Sequence, residues 1–157
     1  MAKKTIALNL AGILVSKEPW EEAHRMFFED AAKKLDRPDI AHWPIIYTQD
    51  KEYFEKVIEV MNLLHPNDSD KTKIKKAREF FYDDVIDYIN KHPKVIYKEL
   101  IKKIKKHKDE YDYVLITSTP EEKIKELLNA ISIEEKLFDT IKATSLDLED
   151  NKKSSLY

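Results

Sequence analysis

The sequence predicts an α/β protein in which a small parallel sheet is interrupted, after its first strand, by an all-helical insertion. Three observations lead there. A short apolar run at residues 5–10 reads as a buried strand. Residues 17–91 then carry three long apolar patterns at three-to-four spacing and no strand pattern. From residue 92 onward the texture becomes helix, strand, helix, strand, and joining these to the opening strand needs right-handed crossovers in a parallel sheet.

Taken in order, the opening run Thr5-Ile6-Ala7-Leu8-Asn9-Leu10 reaches Gly12, the single glycine in 157 residues. A chain that uses glycine once needs it there, for a positive φ or for close approach of the backbone to a neighbour. Ser16 suits an N-cap, and Pro19 with the following glutamates suits a first helical turn. Trp20, Ala23, Phe27, Ala31 and Leu35 then mark the apolar face of a helix that Arg37-Pro38-Asp39 breaks. Residues 40–47 form a short irregular or helical connector. A second helix starts at Gln49 or Asp50, with Tyr53, Phe54, Val57, Ile58, Val60, Met61 and Leu64 inward, and His65-Pro66-Asn67-Asp68 stops it. A third runs from about residue 70 to 91 on a stripe of Ile74, Ala77, Phe80, Phe81, Val85, Ile86 and Ile89. Its Lys71, Lys73, Lys75 and Lys76 read as a solvated face.

The second half repeats a strand-and-helix rhythm. Residues 95–107 form a helix with Leu100, Ile101 and Ile104 inward and its lysines mostly outward. Residues 112–117 are an apolar, β-branched strand that Ser118-Thr119-Pro120 ends. A helix follows to about residue 131, and residues 139–144 are a weak third strand. Asp147, Glu149 and Asp150 have no apolar strand before them and read as loop.

Composition excludes several classes. Lys plus Arg is 28 and Asp plus Glu is 30, a net charge of −2 that gives no global drive toward nucleic acid or membrane. Without cysteine there is no disulfide framework and no thiolate metal site. No apolar run is long enough for a transmembrane helix. The basic start, Met1-Ala2-Lys3-Lys4, precedes too short an apolar stretch for a signal peptide, so the expected location is cytoplasmic. The histidines 24, 42, 65, 92 and 107 never fall at helical metal-pair spacing.

The stretch Asn9-Leu10-Ala11-Gly12-Ile13-Leu14 resembles the first motif of the haloacid dehalogenase (HAD) superfamily, a hydrophobic strand followed by Asp-x-Asp-Gly-Thr/Val-Leu. The resemblance implies a Rossmann-like parallel sheet with a helical cap inserted after that motif. It divides the chain into a core of residues 1–16 and 92–157 and a cap of residues 17–91. It also implies phosphoester hydrolysis with Mg²⁺. Asn9 stands where the family has its nucleophile and Ala11 where it has its general acid/base. Thr117 matches the hydroxyl residue that ends the second motif, with Ser118 beside it as a ligand-binding position together with Gly12. The nearest match to the third-motif lysine is Lys152, in Lys152-Lys153-Ser154-Ser155, without the family's prolines. The acidic pair of the fourth motif is missing as far as Tyr157.

These departures set the expected chemistry. A neutral amide is a far poorer nucleophile than a carboxylate. Alanine transfers no proton, and general acid/base catalysis contributes roughly 10²–10⁴-fold. Mg²⁺ favours hard oxygen ligands, usually carboxylates. Asn9 offers only a side-chain oxygen and Ala11 only its backbone carbonyl, so Mg²⁺ is expected to be weak or absent. Two pictures follow. In one, a degenerate relative, a pseudoenzyme, binds a phosphate-bearing small molecule or serves as an interaction module. In the other, a working phosphatase draws its missing groups from elsewhere. Without further strands beside it, the first strand becomes an exposed edge, expected to form a homodimer or to be buried by residues 146–157 or the cap.

Overall fold

The computed structural model describes residues 3–144. It is an α/β structure with a three-stranded parallel sheet and six α-helices among those residues. They fall into two compact units: the stretch up to Pro19 together with everything from Ile86 onward, and Trp20–Val85.

The first unit holds the sheet. Its strands are β1 (Lys4–Leu8), β2 (Tyr111–Pro120) and β3 (Thr140–Thr144), in the order β1-β2-β3, all parallel. Central β2 is the most buried: Leu115, Ile116, Thr117 and Thr119 are nearly inaccessible. Helix α5 (Lys98–Lys106) contributes buried Ile101 and Ile104, and α6 (Glu121–Ala130) contributes Ile124, Leu127 and Leu128. Asp139 sets the entry of β3. Its backbone N–H donates to the Tyr113 carbonyl, and its carboxylate accepts from the Tyr113 N–H, both at 2.8 Å. That N–H bond is the main reason its carboxyl is held below the ordinary range, and Lys108 adds to it.

Three expectations change here. β1 is parallel and at the sheet's edge, both as expected, but it is not the buried strand that its apolar run suggested. Lys4, Thr5 and Ala7 are exposed and Ile6 and Leu8 only partly covered, because β1 is the sheet's edge and one flank of it has no neighbouring strand among the described residues. The helix expected from residue 95 begins at Lys98, because Pro93 opens a separate 3₁₀ turn, Pro93–Val95. Leu100, expected inward, is exposed on α5.

The second unit is helical. It contains most of α1 (Glu18–Leu35) and α4 (Asp70–Lys91), and all of α2 (Trp43–Ile46) and α3 (Asp50–Leu64). A 3₁₀ turn, Pro38–His42, joins α1 to α2. Its core is built from Phe27, Phe28, Ala31, Ile40, Trp43, Val60, Met61 and Ala77. The three-to-four spacing read from the sequence places Phe27, Ala31, Val60, Met61 and Ala77 inward; Phe28 and, from the connector, Ile40 and Trp43 join them without belonging to that pattern, and Phe54, expected inward on α3, is exposed. The expected N-cap Ser16 lies one residue outside the capping position of α1, and its hydroxyl accepts a long 3.4 Å bond from the Glu18 N–H. No helix among the described residues is long and apolar enough to cross a membrane.

Candidate functional site

The site grows from the C-terminal end of β1. The strand stops at Leu8, and the chain winds one tight turn over residues 10–15. The Leu10 carbonyl accepts from the amides of Ile13, Leu14 and Val15, and the Gly12 amide donates to the Val15 carbonyl at 2.6 Å. Buried Leu10, Leu14 and Val15 anchor the turn from below. Two further backbone bonds tie it down, from the Ser16 N–H to Val95 and from the Tyr97 N–H to Leu14, around an antiparallel bridge between Val15 and Ile96. Gly12 adopts φ +85°, the left-handed region where side chains are strained. This is the conformational need expected of a lone glycine.

β2 supplies the other side. Leu8 is level with Leu115 in the parallel register, so Asn9 and Thr117 follow at the C-terminal ends of neighbouring strands. That end of β2 is irregular. Ile116 pairs with Lys142, but the next pair is Pro120 with Thr144, so residues 117–119 bulge. Such bulges re-aim side chains and are common beside functional sites. Within it the Thr117 hydroxyl donates to Thr119 Oγ1 at 2.9 Å and accepts from the Thr119 N–H at 3.1 Å. The Thr144 hydroxyl closes the bulge onto the Ser118 carbonyl at 2.8 Å.

Asn9, Ala11, Gly12, Thr117 and Ser118 thus lie on two adjacent strand ends. Lys152 lies outside the described residues, as do Asp147, Glu149 and Asp150. The turn also narrows what its backbone can do: the amides of Gly12, Ile13, Leu14 and Val15 are all bonded within it. Neither is the N-terminus of α6 open to an anion, since Glu121 and Glu122 occupy its first turn.

The donor set does not suit Mg²⁺. No carboxylate occurs from residue 9 to 17 or from 113 to 120, leaving one amide oxygen, hydroxyls and backbone carbonyls. Among the described residues no group of three or more histidine and acidic side chains could hold a metal ion.

A separate polar cluster, which sequence spacing did not reveal, lies in the helical unit. His24 Nδ1 meets the Tyr53 hydroxyl at 2.5 Å, in a cleft of about 400 Å³ that Glu21, Arg25, Ile45 and Asp50 also line. Burial lowers the imidazole pKa and raises that of the Tyr53 phenol, so both are neutral near pH 7.

No family model matches the chain, and no curated protein matches it in sequence. Among solved structures it is similar to the candidate HAD-hydrolase YfnB of Bacillus subtilis, which was solved with bound magnesium and described as showing interdomain movement. The TM-score is 0.49 at 12% identity, over 91% of this chain and 66% of that one. The chain therefore spans slightly less than two thirds of that protein. At this identity and score the likeness bears on neither activity nor ligand.

Proposed function

We propose that this chain is a phosphatase-like protein of HAD type in which hydrolysis is lost and recognition of a phosphate-bearing small molecule is kept. The observation that carries this reading is the chemistry of the two strand ends. A HAD-type hydrolase needs a carboxylate nucleophile after β1 and an acid/base two residues on, and here those positions are Asn9 and Ala11.

The same substitutions alter the electrostatics in favour of binding. Two carboxylates in this place would repel a phosphate unless a divalent cation lay between them. With neither carboxylate present, the two strand ends offer neutral polar groups: Asn9 and Ser118, both partly exposed, and the hydroxyl of Thr117, which is buried and bonded to Thr119. An anion no longer requires a metal to approach these ends. Thr117 is already engaged with Thr119 and can change partner by rotating its hydroxyl.

The test is release of p-nitrophenol from p-nitrophenyl phosphate in the presence of Mg²⁺, run beside equilibrium dialysis of inorganic phosphate. The expected result is no release above the protein-free blank, with measurable phosphate retention that survives EDTA. Turnover by the unmodified protein would overturn the loss of hydrolysis. Absence of phosphate retention would overturn the binding role.

A further inference from the structure

We infer that Lys17 is a ligand-binding residue, supplying the positive charge for a phosphate held at the ends of β1 and β2; this rests on the binding role proposed above. The lead is the glycine. A Cβ built on Gly12 would lie 3.2 Å from Cε of Lys17 and 3.7 Å from its Cγ. The lysine stem is therefore laid across the turn that closes β1, in the space that a side chain at position 12 would fill. Its ammonium is one bond beyond that Cε.

Three observations turn this contact into a binding role. The ammonium is available: Lys17 is exposed, and no ion pair engages it among the described residues. It is also the only charged side chain between Leu8 and Glu18, so the turn carries a single positive charge with no carboxylate inside it to cancel it. Finally, several other sources of positive potential at this end of the sheet are already used. The turn amides of residues 12–15 bond within the turn, and the N-terminus of α6 is complemented by its own glutamates. A side-chain cation adds the full charge that these groups do not offer, and a lysine is well suited as a point-charge partner for phosphate.

The geometry also gives Gly12 a second reason to be glycine. The positive φ meets the demands of the turn, and the missing side chain leaves a path for the lysine. A purely structural Lys17, its stem covering backbone and its head in water, would depend on the stem alone. Charge and stem can therefore be separated by substitution.

The experiment is calorimetric titration of inorganic phosphate into the full chain at low salt, for the unmodified protein, Lys17→Met and Lys17→Arg, with a thermal melt of each. The methionine keeps most of the stem and removes the charge. The expected result is about a tenfold or greater loss of phosphate affinity in Lys17→Met, substantial retention in Lys17→Arg, and nearly unchanged melting temperatures. Binding by the unmodified protein should weaken as salt is raised. Equal affinity of Lys17→Met and the unmodified protein would overturn the role of Lys17 while leaving the binding proposal standing. No heat with the unmodified protein would overturn both.

Discussion

The two units bury their interiors with different materials. The helical unit is packed with rings. Phe28 meets Phe27 at 5.2 Å and 90°, Tyr53 at 5.5 Å and 72°, and Trp43 at 6.4 Å and 61°. Lys56 holds its ammonium 4.7 Å from the Trp43 centroid and 4.6 Å from that of Tyr47. Edge-to-face pairs of this kind are worth more than the area they bury, because ring quadrupoles favour the geometry. The sheet unit is mainly aliphatic, built on Leu115, Ile116, Ile101, Ile104, Leu127 and Leu128, and it brings hydroxyls into its interior at Thr117, Thr119 and Thr144. The helical unit gains specificity from the angles between rings. The sheet unit gains it from register, and its buried polar groups gather where the register breaks, at the strand ends proposed to bind phosphate.

The largest effect that would break this contrast lies in the ring cluster. Phe28 is completely buried and touches three other rings, so Phe28→Ala should lower stability by about 3–5 kcal/mol. Both tryptophans, Trp20 and Trp43, belong to the helical unit, so urea unfolding followed by tryptophan fluorescence reads this unit directly. A fluorescence midpoint that does not move would show that the rings are not what holds it together.

A smaller effect is expected at the turn of the sheet unit. Gly12→Ala forces a Cβ into φ +85°, at about 1–2 kcal/mol for an L-residue in the left-handed region. The contact with Lys17 adds little, since a lysine tip can swing aside. Far-UV circular dichroism during thermal melting should show the loss. A variant as stable as the parent would mean that the turn relaxes to a conformation other than the one described.

How far these features could be read from sequence differs between the units for a physical reason. Helix periodicity is local, and the helical unit was legible almost to the residue: α1 ends at Leu35 and α4 spans Asp70–Lys91 as the spacing predicts. The demand on Gly12 was legible too, since a lone glycine points to its own backbone. Strand position is not local. Ile6 and Leu8 look like interior residues, and the edge position of their strand was expected only from the family resemblance, because pairing with residues about a hundred positions away decides it. The same holds for the lengthened, bulged end of β2, whose hydroxyl pairing no spacing rule supplies. At the site, the meaning of Asn9 and Ala11 came from resemblance, whereas the path of Lys17 over Gly12 came only from coordinates.

The smallest effect probes a titratable contact on the helical unit, that of His24 at the mouth of a cleft. His24 lies on α1, with its ring 4.9 Å from Tyr53 and 4.8 Å from Phe81. Burial lowers its pKa below the ordinary 6.5, and Glu21 offsets part of that. The phenol of Tyr53 stays protonated, and in the tautomer with the proton on Nε2 it donates to neutral Nδ1, an acceptor that protonation of the imidazole removes. The sign follows from linkage. Below pH 6.5 the unfolded chain takes up a proton that the folded protein resists. The contribution of His24 is therefore complete above pH 6.5 and is lost as pH falls through the lowered folded value. The difference in stability between the parent and His24→Gln should shrink from pH 7 toward pH 5, a window above most carboxylate titrations. Parallel curves for the two proteins across that window would show that the imidazole is not held neutral between the rings, and would remove the pH-sensitive link assigned to the helical unit.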